Sequence, residues 1–175
     1  MDIIMETERL ILRKMETSDY RDLCKILQDE AVMYAYEGAF SDEEARNWLN
    51  RQLRRYEEDG FGLWAVILKE NGELIGQCGL TIQDIPDRQV VEIGYLFRRK
   101  YWHRGYATEA AKACREYAFH VLNVEEGFSI IRDTNTASRN VAERNGMEQV
   151  GSFVKRYRGV DMPHDVFVAR RAKEA

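Results

Sequence analysis

The chain has 175 residues, of which 45% are hydrophobic and 32% charged, and its formal net charge at pH 7 is −4. This length predicts one domain, residues 1–175, and the negative charge disfavours general binding to nucleic acid. The chain begins without a cationic leader, and no apolar run approaches the ~20 residues of a membrane-spanning helix, so we expect a cytoplasmic protein with no nucleic-acid or membrane partner.

The first elements along the chain are a strand and two helices. Leu10 and Leu12 alternate with Arg9, Ile11 and Arg13, which indicates a strand. Thr17-Ser18-Asp19 can cap a first helix, and Ser41 with Glu44 has the spacing of a capping box for a second. The sequence therefore predicts a strand followed by two helices.

The loop between these helices carries aromatic residues that allow two interpretations. Tyr34, Tyr36 and Phe40 belong either to the core or to the wall of a substrate site. The acidic run Asp42-Glu43-Glu44 either attracts a cationic amine or simply stabilises the positive end of the second helix. Sequence alone leaves both questions open.

A hairpin then leads into the central stretch of the chain. Asn71-Gly72 lies between the apolar runs 63–68 and 74–82 and predicts a tight turn. Residues 90–110 read as a strand, a turn rich in arginine, a glycine at position 105, and the start of a helix. Unpaired amides at a helix N-terminus, beside a glycine and several cations, are typical of a phosphate-binding site.

The remaining elements complete a crossover and a hairpin. Residues 128–131 predict a fifth strand, parallel and adjacent to the fourth, because a helix connects them. A short helix begins at Asn135 and ends at Gly146. Residues 147–154 and 166–169 can pair as a closing hairpin, with Met162-Pro163-His164 in its loop.

Cysteine and histidine spacing indicates no metal site. We interpret the three cysteines as reduced thiols in apolar surroundings. The three histidines do not have the spacing of metal ligands either. These residues are Cys24, Cys78, Cys114, His103, His120 and His164.

Four segments, in order and at matching spacing, resemble the GNAT family of acyl-coenzyme A-dependent N-acetyltransferases. Trp102 to Ala107 matches the family's Gln/Arg-x-x-Gly-x-Gly/Ala motif, with Trp in the first position. This segment, Glu92-Ile93-Gly94-Tyr95, Asn135-x-x-Ser138 and Gly146-Met147 resemble the branch that contains the ribosomal-protein alanine N-acetyltransferases. The resemblance implies an α/β fold of the α+β type. Its central sheet is mixed and mostly antiparallel, with six to seven strands, a splayed parallel pair formed by the fourth and fifth strands, and about four flanking helices.

The resemblance also implies that acetyl-coenzyme A is the co-substrate. The backbone of Tyr95, Leu96 and Phe97 is expected to pair with the pantetheine arm, and an amide near Leu96 or Phe97 to stabilise the oxyanion. The Asn135 side chain is expected to contact pantetheine as well. The pyrophosphate is expected to lie on the turn and first helical residues, with Arg98 and Arg104 adding charged contacts. The turn residues in this set are Trp102, His103, Arg104, Gly105, Tyr106, Ala107 and Thr108.

Two side chains are the candidate catalytic groups. Glu92 lies in an apolar strand, where burial would raise its pKa towards neutrality and suit it to act as general base; alternatively it faces solvent or pairs with an arginine. Ser138 is the branch's candidate for contacting the thioester sulfur, or it only caps a helix. Two departures from the family stand out: His103 replaces a frequent glycine, and Ala142 replaces the tyrosine general acid.

These features predict transfer of an acetyl group to a primary amine, by direct attack through a tetrahedral intermediate. The acceptor is a protein N-terminus or a small-molecule amine, and a homodimer is common in the family. The alternative is a protein of the same fold that binds acyl-coenzyme A without catalysis, as a sensor or partner module. His164-Asp165 is expected to have a structural role more readily than a substrate contact.

Overall fold

One mixed sheet organises the computed structural model, which describes residues 2–173. Its strands have the spatial order β1-β2-β3-β4-β5-β6-β8-β7. They are β1 (Ile3–Glu6), β2 (Leu10–Arg13), β3 (Leu63–Leu68), β4 (Leu74–Ile85), β5 (Arg88–Phe97), β6 (Glu126–Arg132), β7 (Glu148–Tyr157) and β8 (Val160–Arg170). The mixed, mostly antiparallel architecture is confirmed, with eight strands in the described residues where six to seven were predicted. The additional strand is β1, an edge strand whose continuous Ile-Ile-Met run has no period-two pattern.

Four α-helices flank this sheet within the described residues: α1 (Tyr20–Leu27), α2 (Asp42–Glu58), α3 (Tyr106–His120) and α4 (Thr136–Arg144). The predicted capping box of α2 is present, since Ser41 accepts from the Glu44 amide at 3.1 Å and Glu44 accepts from the Ser41 amide at 3.0 Å. Asn135 caps α4 through its side-chain oxygen. The predicted starts of these two helices are therefore confirmed.

The helices cover opposite faces of the sheet. On one face, Trp48 of α2 donates its indole N–H to Gln77 of β4 at 2.8 Å. On the other, Cys114 of α3 lies 3.6 Å from Cys78 of β4, sulfur to sulfur, and both are buried. Because side chains alternate along β5, Glu92 points to the α2 face and Tyr95 to the face covered by α3 and α4.

The parallel pair formed by β5 and β6 separates almost as soon as it forms. A single register pair, Glu92 with Phe128, joins the two strands, whereas β4 and β5 pair along their whole length. The predicted splay of the parallel pair is therefore confirmed, and it opens a gap beside the carboxyl end of β5.

The closing hairpin has a shorter turn than predicted. Its two strands are antiparallel and β8 lies between β6 and β7, with the turn at Arg158-Gly159. Met162-Pro163-His164 lies within β8, so the prediction that it forms the loop is wrong. Proline usually favours a loop, but here the Pro163 carbonyl accepts from the Asp133 amide at 3.0 Å and Met162 is buried.

Candidate active site

Side chains, not backbone pairs, bridge the gap where β5 and β6 separate. The Ile130 amide donates to the Glu92 carboxylate at 2.7 Å, and the Ser129 hydroxyl donates to the Ile93 carbonyl at 2.8 Å. Beyond these two bonds, the gap-facing backbone groups of β5 have no partner strand among the described residues. Because those groups alternate, the Tyr95 N–H and carbonyl lie on the same side as the Ile93 carbonyl.

Glu92 is the titratable group at this junction. Burial raises the pKa of its carboxyl to about 7, although the Ile130 amide and the Lys155 and Arg55 cations oppose the shift. The carboxyl lines a cavity of about 470 Å³ that also reaches Ser138. The carboxyl therefore changes its charge near neutral pH, as a general base requires.

The aromatic residues before α2 both pack together and line this cavity. Tyr36 makes edge-to-face contacts with Phe40, Trp48 and Tyr157, with ring centroids 5.7–6.2 Å apart. Tyr36, Phe40, Trp48 and Tyr157 also form a cavity wall. Tyr36 and Phe40 are therefore packed together and also line the cavity, whereas Tyr34 is exposed outside the cavity lining.

The acidic run at the start of α2 has local partners. Glu44 completes the capping box and forms an ion pair with Arg158, while Asp42 accepts from Gln28 at 2.8 Å. Of the three acids only Glu44 lines the cavity. These contacts favour the helix-stabilising interpretation of the run.

The glycine turn has the backbone conformation of an anion site. Gly105 caps α3 with a φ of 80°, and His103 also has a positive φ, of 62°. The amides of Tyr106, Ala107 and Thr108 open α3. The positive φ at His103 explains why a glycine is favoured there, since a residue with a Cβ is strained in that conformation.

An arginine between β1 and β2 holds this turn, a role that was not predicted from the sequence. Arg9 donates from Nη1 to the Arg104 carbonyl at 3.0 Å and from Nε to Glu109 at 2.7 Å. Its guanidinium also lies 4.3 Å from the centroid of the Tyr106 ring. Thr7 donates to the same Glu109 carboxylate. Thr7 and Arg9 lie in the segment Thr7-Glu8-Arg9-Leu10, whereas their partner Glu109 lies about a hundred positions later in the chain. No local sequence pattern predicts a contact over that separation.

The other predicted turn residues make mostly structural contacts. Trp102 donates its indole N–H to the Phe97 carbonyl at 2.9 Å, which joins the strand end to the turn. Arg98 lies 3.5 Å from Glu73, so a phosphate would compete with that carboxylate. Arg104 is exposed, with its guanidinium 6.0 Å from the Tyr101 ring.

The helix after β6 brings Asn135 and Ser138 to the opposite wall of the cavity. The Asn135 side-chain oxygen accepts from the Ser138 amide at 3.2 Å, which leaves its NH₂ group to donate elsewhere. The Tyr95 hydroxyl donates to the Ser138 carbonyl at 2.7 Å and joins β5 to α4. Ala142 is 1% exposed and therefore belongs to the core.

His164 and Asp165 lie in β8. His164 lines the cavity, its Nδ1 is 2.8 Å from the Met162 carbonyl, and burial lowers its pKa. Asp165 forms an ion pair with Arg139 of α4. These contacts agree with the expected structural role.

A second, shallower depression lies at the start of α3. Gly105, Thr108 and Glu109 line it together with two cations, Lys112 and Arg144. Neither cation was predicted from the sequence, although Lys112 lies one turn beyond Thr108 on α3.

Comparisons with known proteins identify related sequences. A family model described as an acetyltransferase (GNAT) domain matches residues 9–148. The uncharacterised Bacillus subtilis protein YkkB is 40% identical over 142 residues, covering 81% of this chain and 83% of its own. The uncharacterised N-acetyltransferase YnaD of Bacillus subtilis is 31% identical over 150 residues, covering 85% of each chain.

Solved structures share the fold over nearly the whole chain. A GNAT-family acetyltransferase from Bacillus anthracis superposes with a TM-score of 0.79 at 28% identity, covering 97% of this chain and 98% of that one. RimL, a ribosomal L7/L12 α-N-protein acetyltransferase in complex with coenzyme A, has a TM-score of 0.78 at 19% identity, covering 97% and 98%. At that identity RimL shows a common fold, as the branch resemblance implied. Across residues 2–173, each helix is too short or too polar to cross a membrane.

Proposed function

Because the chain belongs to the GNAT family of acetyltransferases, we propose that it is an acyl-coenzyme A-dependent N-acetyltransferase that acts on a primary amine. The observation that carries this proposal is the position of Glu92. Its carboxyl, with a pKa raised to about 7, lies where β5 and β6 separate and faces a cavity of about 470 Å³. An acceptor amine must lose a proton before it attacks the thioester, and a carboxyl that titrates near neutral pH beside the split in the sheet can remove that proton.

The residues of the split and of the glycine turn fit coenzyme A. The gap-facing backbone of Tyr95 is free to pair with the amides of pantetheine, and the Asn135 NH₂ group can donate to the same arm. The left-handed Gly105 and the amides of Tyr106 to Thr108 can hold the pyrophosphate. Lys112 and Arg144 extend this site, because they add positive charge beside the same helix end.

The proposed chemistry divides between three groups of this chain. Acetyl-coenzyme A, when bound, supplies the thioester whose acetyl carbon accepts the amine. Glu92 removes a proton from the ammonium, directly or through water. By strand alternation the Phe97 amide lies on the gap side and the Leu96 amide faces β4, so Phe97 is the better oxyanion donor of the two. We assign the Ser138 hydroxyl, which lines the same cavity, to assist the departing thiolate.

A non-catalytic acyl-coenzyme A-binding module is the second candidate, and one observation favours it. Ala142 occupies the position aligned with the family's tyrosine acid, and this buried side chain carries no proton to donate. The Tyr95 hydroxyl is near Ser138, but it already donates to the Ser138 carbonyl. Burial also raises the pKa of Tyr95, which makes it a weaker acid. Under this alternative, Glu92 only bridges the two strands.

Release of the coenzyme A thiol distinguishes the two candidates. The protein is mixed with acetyl-coenzyme A and a panel of primary amines and N-terminal peptides, and free thiol is measured together with acetylated product. An acceptor-dependent release that Glu92→Gln abolishes supports the transferase. Calorimetric binding of acetyl-coenzyme A with no release for any acceptor would support the binding module.

A further inference from the structure

The cavity beside Glu92 carries more positive than negative charge. One of its lining cations is neutralised, because Arg132 pairs with Glu37 at 2.8 Å, and the lining carboxylate of Glu44 is neutralised by Arg158 from outside the lining. Three more cavity-lining cations form no salt bridge with any described residue. These are Arg51, Arg55 and Lys155.

These three cations come from both sides of the cavity; Arg55 is half-buried, whereas Arg51 and Lys155 are exposed. Arg51 and Arg55 lie one turn apart on α2, while Lys155 projects from β7. Arg55 is partly buried and donates to the neutral Gln52 side chain at 3.2 Å, and its pKa is lowered by burial and then by Arg51. The positive charges of Lys155 and Arg55 both act to lower the pKa of Glu92. The Asp59 carboxylate also acts on Arg55. Asp59 and Glu92, whose pKa is about 7, therefore carry less negative charge at neutral pH than the three cations carry positive charge.

We infer that the acceptor is a small amine that also carries a carboxylate, which Arg51, Arg55 and Lys155 bind while its amine lies at Glu92. This inference rests on the proposed function. The aromatic wall of Tyr36, Phe40 and Trp48 can cover the apolar part of such a molecule. A polyamine fits less well, because its second ammonium group would face the three cations.

Matched acid and amide acceptors test the inference directly. Phenylalanine with phenylalaninamide, methionine with methioninamide, and γ-aminobutyrate with its amide differ only in the charge at the carboxylate end. Each is assayed with acetyl-coenzyme A by thiol release, and kcat/KM is expressed per concentration of neutral amine, because amidation also lowers the pKa of the amine. Spermidine serves as the cationic acceptor.

We expect at least one acid to be preferred over its amide by about tenfold or more, as a charged hydrogen bond in a partly buried site allows. In Arg51→Gln and Arg55→Gln the acid-to-amide ratio should fall towards one. Arg54→Gln is the matched control, because Arg54 is an exposed residue of the same helix outside the cavity lining. It should retain the wild-type ratio.

The possible results separate the two proposals. Acetylation of amides or spermidine at least as efficient as that of every acid would overturn the carboxylate inference and leave the transferase intact. A preference for acids that Arg51→Gln and Arg55→Gln do not change would overturn the assigned residues. If no acceptor releases thiol while calorimetry shows that acetyl-coenzyme A binds, both the inference and the transferase proposal fail.

Discussion

The Glu92 carboxylate accepts a hydrogen bond from the Ile130 amide at 2.7 Å, across the point where β5 and β6 separate. A side chain thus takes the place of a backbone carbonyl in a parallel ladder. The bond favours the ionised carboxylate, whereas burial favours the neutral acid, and the balance leaves the pKa at about 7. The same residue therefore ends the strand pairing and presents a titratable group to the cavity.

Glu92→Gln should remove the pH dependence of catalysis near neutrality. In the wild-type protein kcat/KM should rise as the pH rises through about 7, because only the ionised carboxylate accepts the proton of the ammonium. The glutamine variant should lose about 10²–10⁴-fold in rate and show no such limb. Stopped assays between pH 5.5 and 9, with saturating acetyl-coenzyme A, measure both.

The control for this experiment is Glu125→Gln, which neutralises an exposed carboxylate just before β6. It should keep the wild-type profile and rate. A Glu92→Gln protein that retained the wild-type pH profile would remove Glu92 from the mechanism.

Much of the fold was predictable because its signals are local. The capping box at Ser41 requires residues three positions apart and is confirmed, and the helix predicted to begin at Asn135 is present. The anionic run at 42–44 was ambiguous, because its partners Arg158 and Gln28 lie elsewhere in the chain. β1 was missed because its Ile-Ile-Met run has no period-two pattern, since the adjacent residues Ile4 and Met5 are both partly buried against the core.

The candidate site was predictable in its backbone and less so in its side chains. Glycine at position 105 indicates a left-handed turn, the crossover indicates the parallel pair, and the family resemblance implied the split beside β5. The contacts of Arg9 with Glu109 and the positions of Arg55 and Lys155 depend on how distant segments pack. A charged residue on a helix surface has the same local pattern whether it faces solvent or a cavity.

Arg9→Lys should weaken coenzyme A binding without unfolding the protein. Lysine cannot reproduce the simultaneous contacts of the guanidinium with the Arg104 carbonyl, Glu109 and the Tyr106 ring. The glycine turn should loosen, and the Kd for coenzyme A should rise about tenfold, which corresponds to about 1.4 kcal/mol. Calorimetry measures the affinity. Arg46→Lys is the control, since Arg46 of α2 also stacks on a tyrosine, Tyr20 of α1. An equal loss of coenzyme A affinity in Arg46→Lys would contradict the role assigned to Arg9.

Gly105→Ala should reduce both stability and coenzyme A affinity. A φ of 80° costs a residue with a Cβ about 1–2 kcal/mol, and the new methyl group would lie 3.4 Å from Arg9 Nη2. Gly105→Glu should abolish binding, because it adds a negative charge to the anion site. Gly60→Ala is the matched control, with a φ of 81° and open space where its new methyl group would lie. The Gly60→Ala protein should lose similar stability and keep full affinity for coenzyme A. A folded Gly105→Glu protein with unchanged affinity for coenzyme A would refute the assignment of this turn to the phosphate.

His103→Gly should increase both the stability of the protein and its affinity for coenzyme A. Its φ of 62° is strained for histidine and ordinary for glycine, and removing the side chain opens the turn towards an incoming phosphate. The gain in unfolding free energy should reach about 1 kcal/mol, reduced by the greater backbone entropy that glycine has when unfolded. Asn123→Gly, at a φ of 56° after α3, is the control and should leave the affinity for coenzyme A unchanged. Weaker binding by His103→Gly would show that the imidazole itself contacts the ligand.

Glu92 should also make the protein less stable as the pH rises. Its folded pKa of about 7 lies above the ordinary value of 4.5, so between these values the native state binds more protons than the unfolded state. The unfolding free energy of the wild type should therefore fall, relative to that of Glu92→Gln, as the pH rises from about 4.5 to beyond 7. The difference should be of order 1–3 kcal/mol. Urea unfolding of both proteins at pH 5 and pH 8 measures it, and comparing the two proteins cancels the other titrating groups. Unfolding free energies that differ by the same amount at both pH values would mean that Glu92 is already ionised at pH 5, and the rise of activity through pH 7 would then need another base.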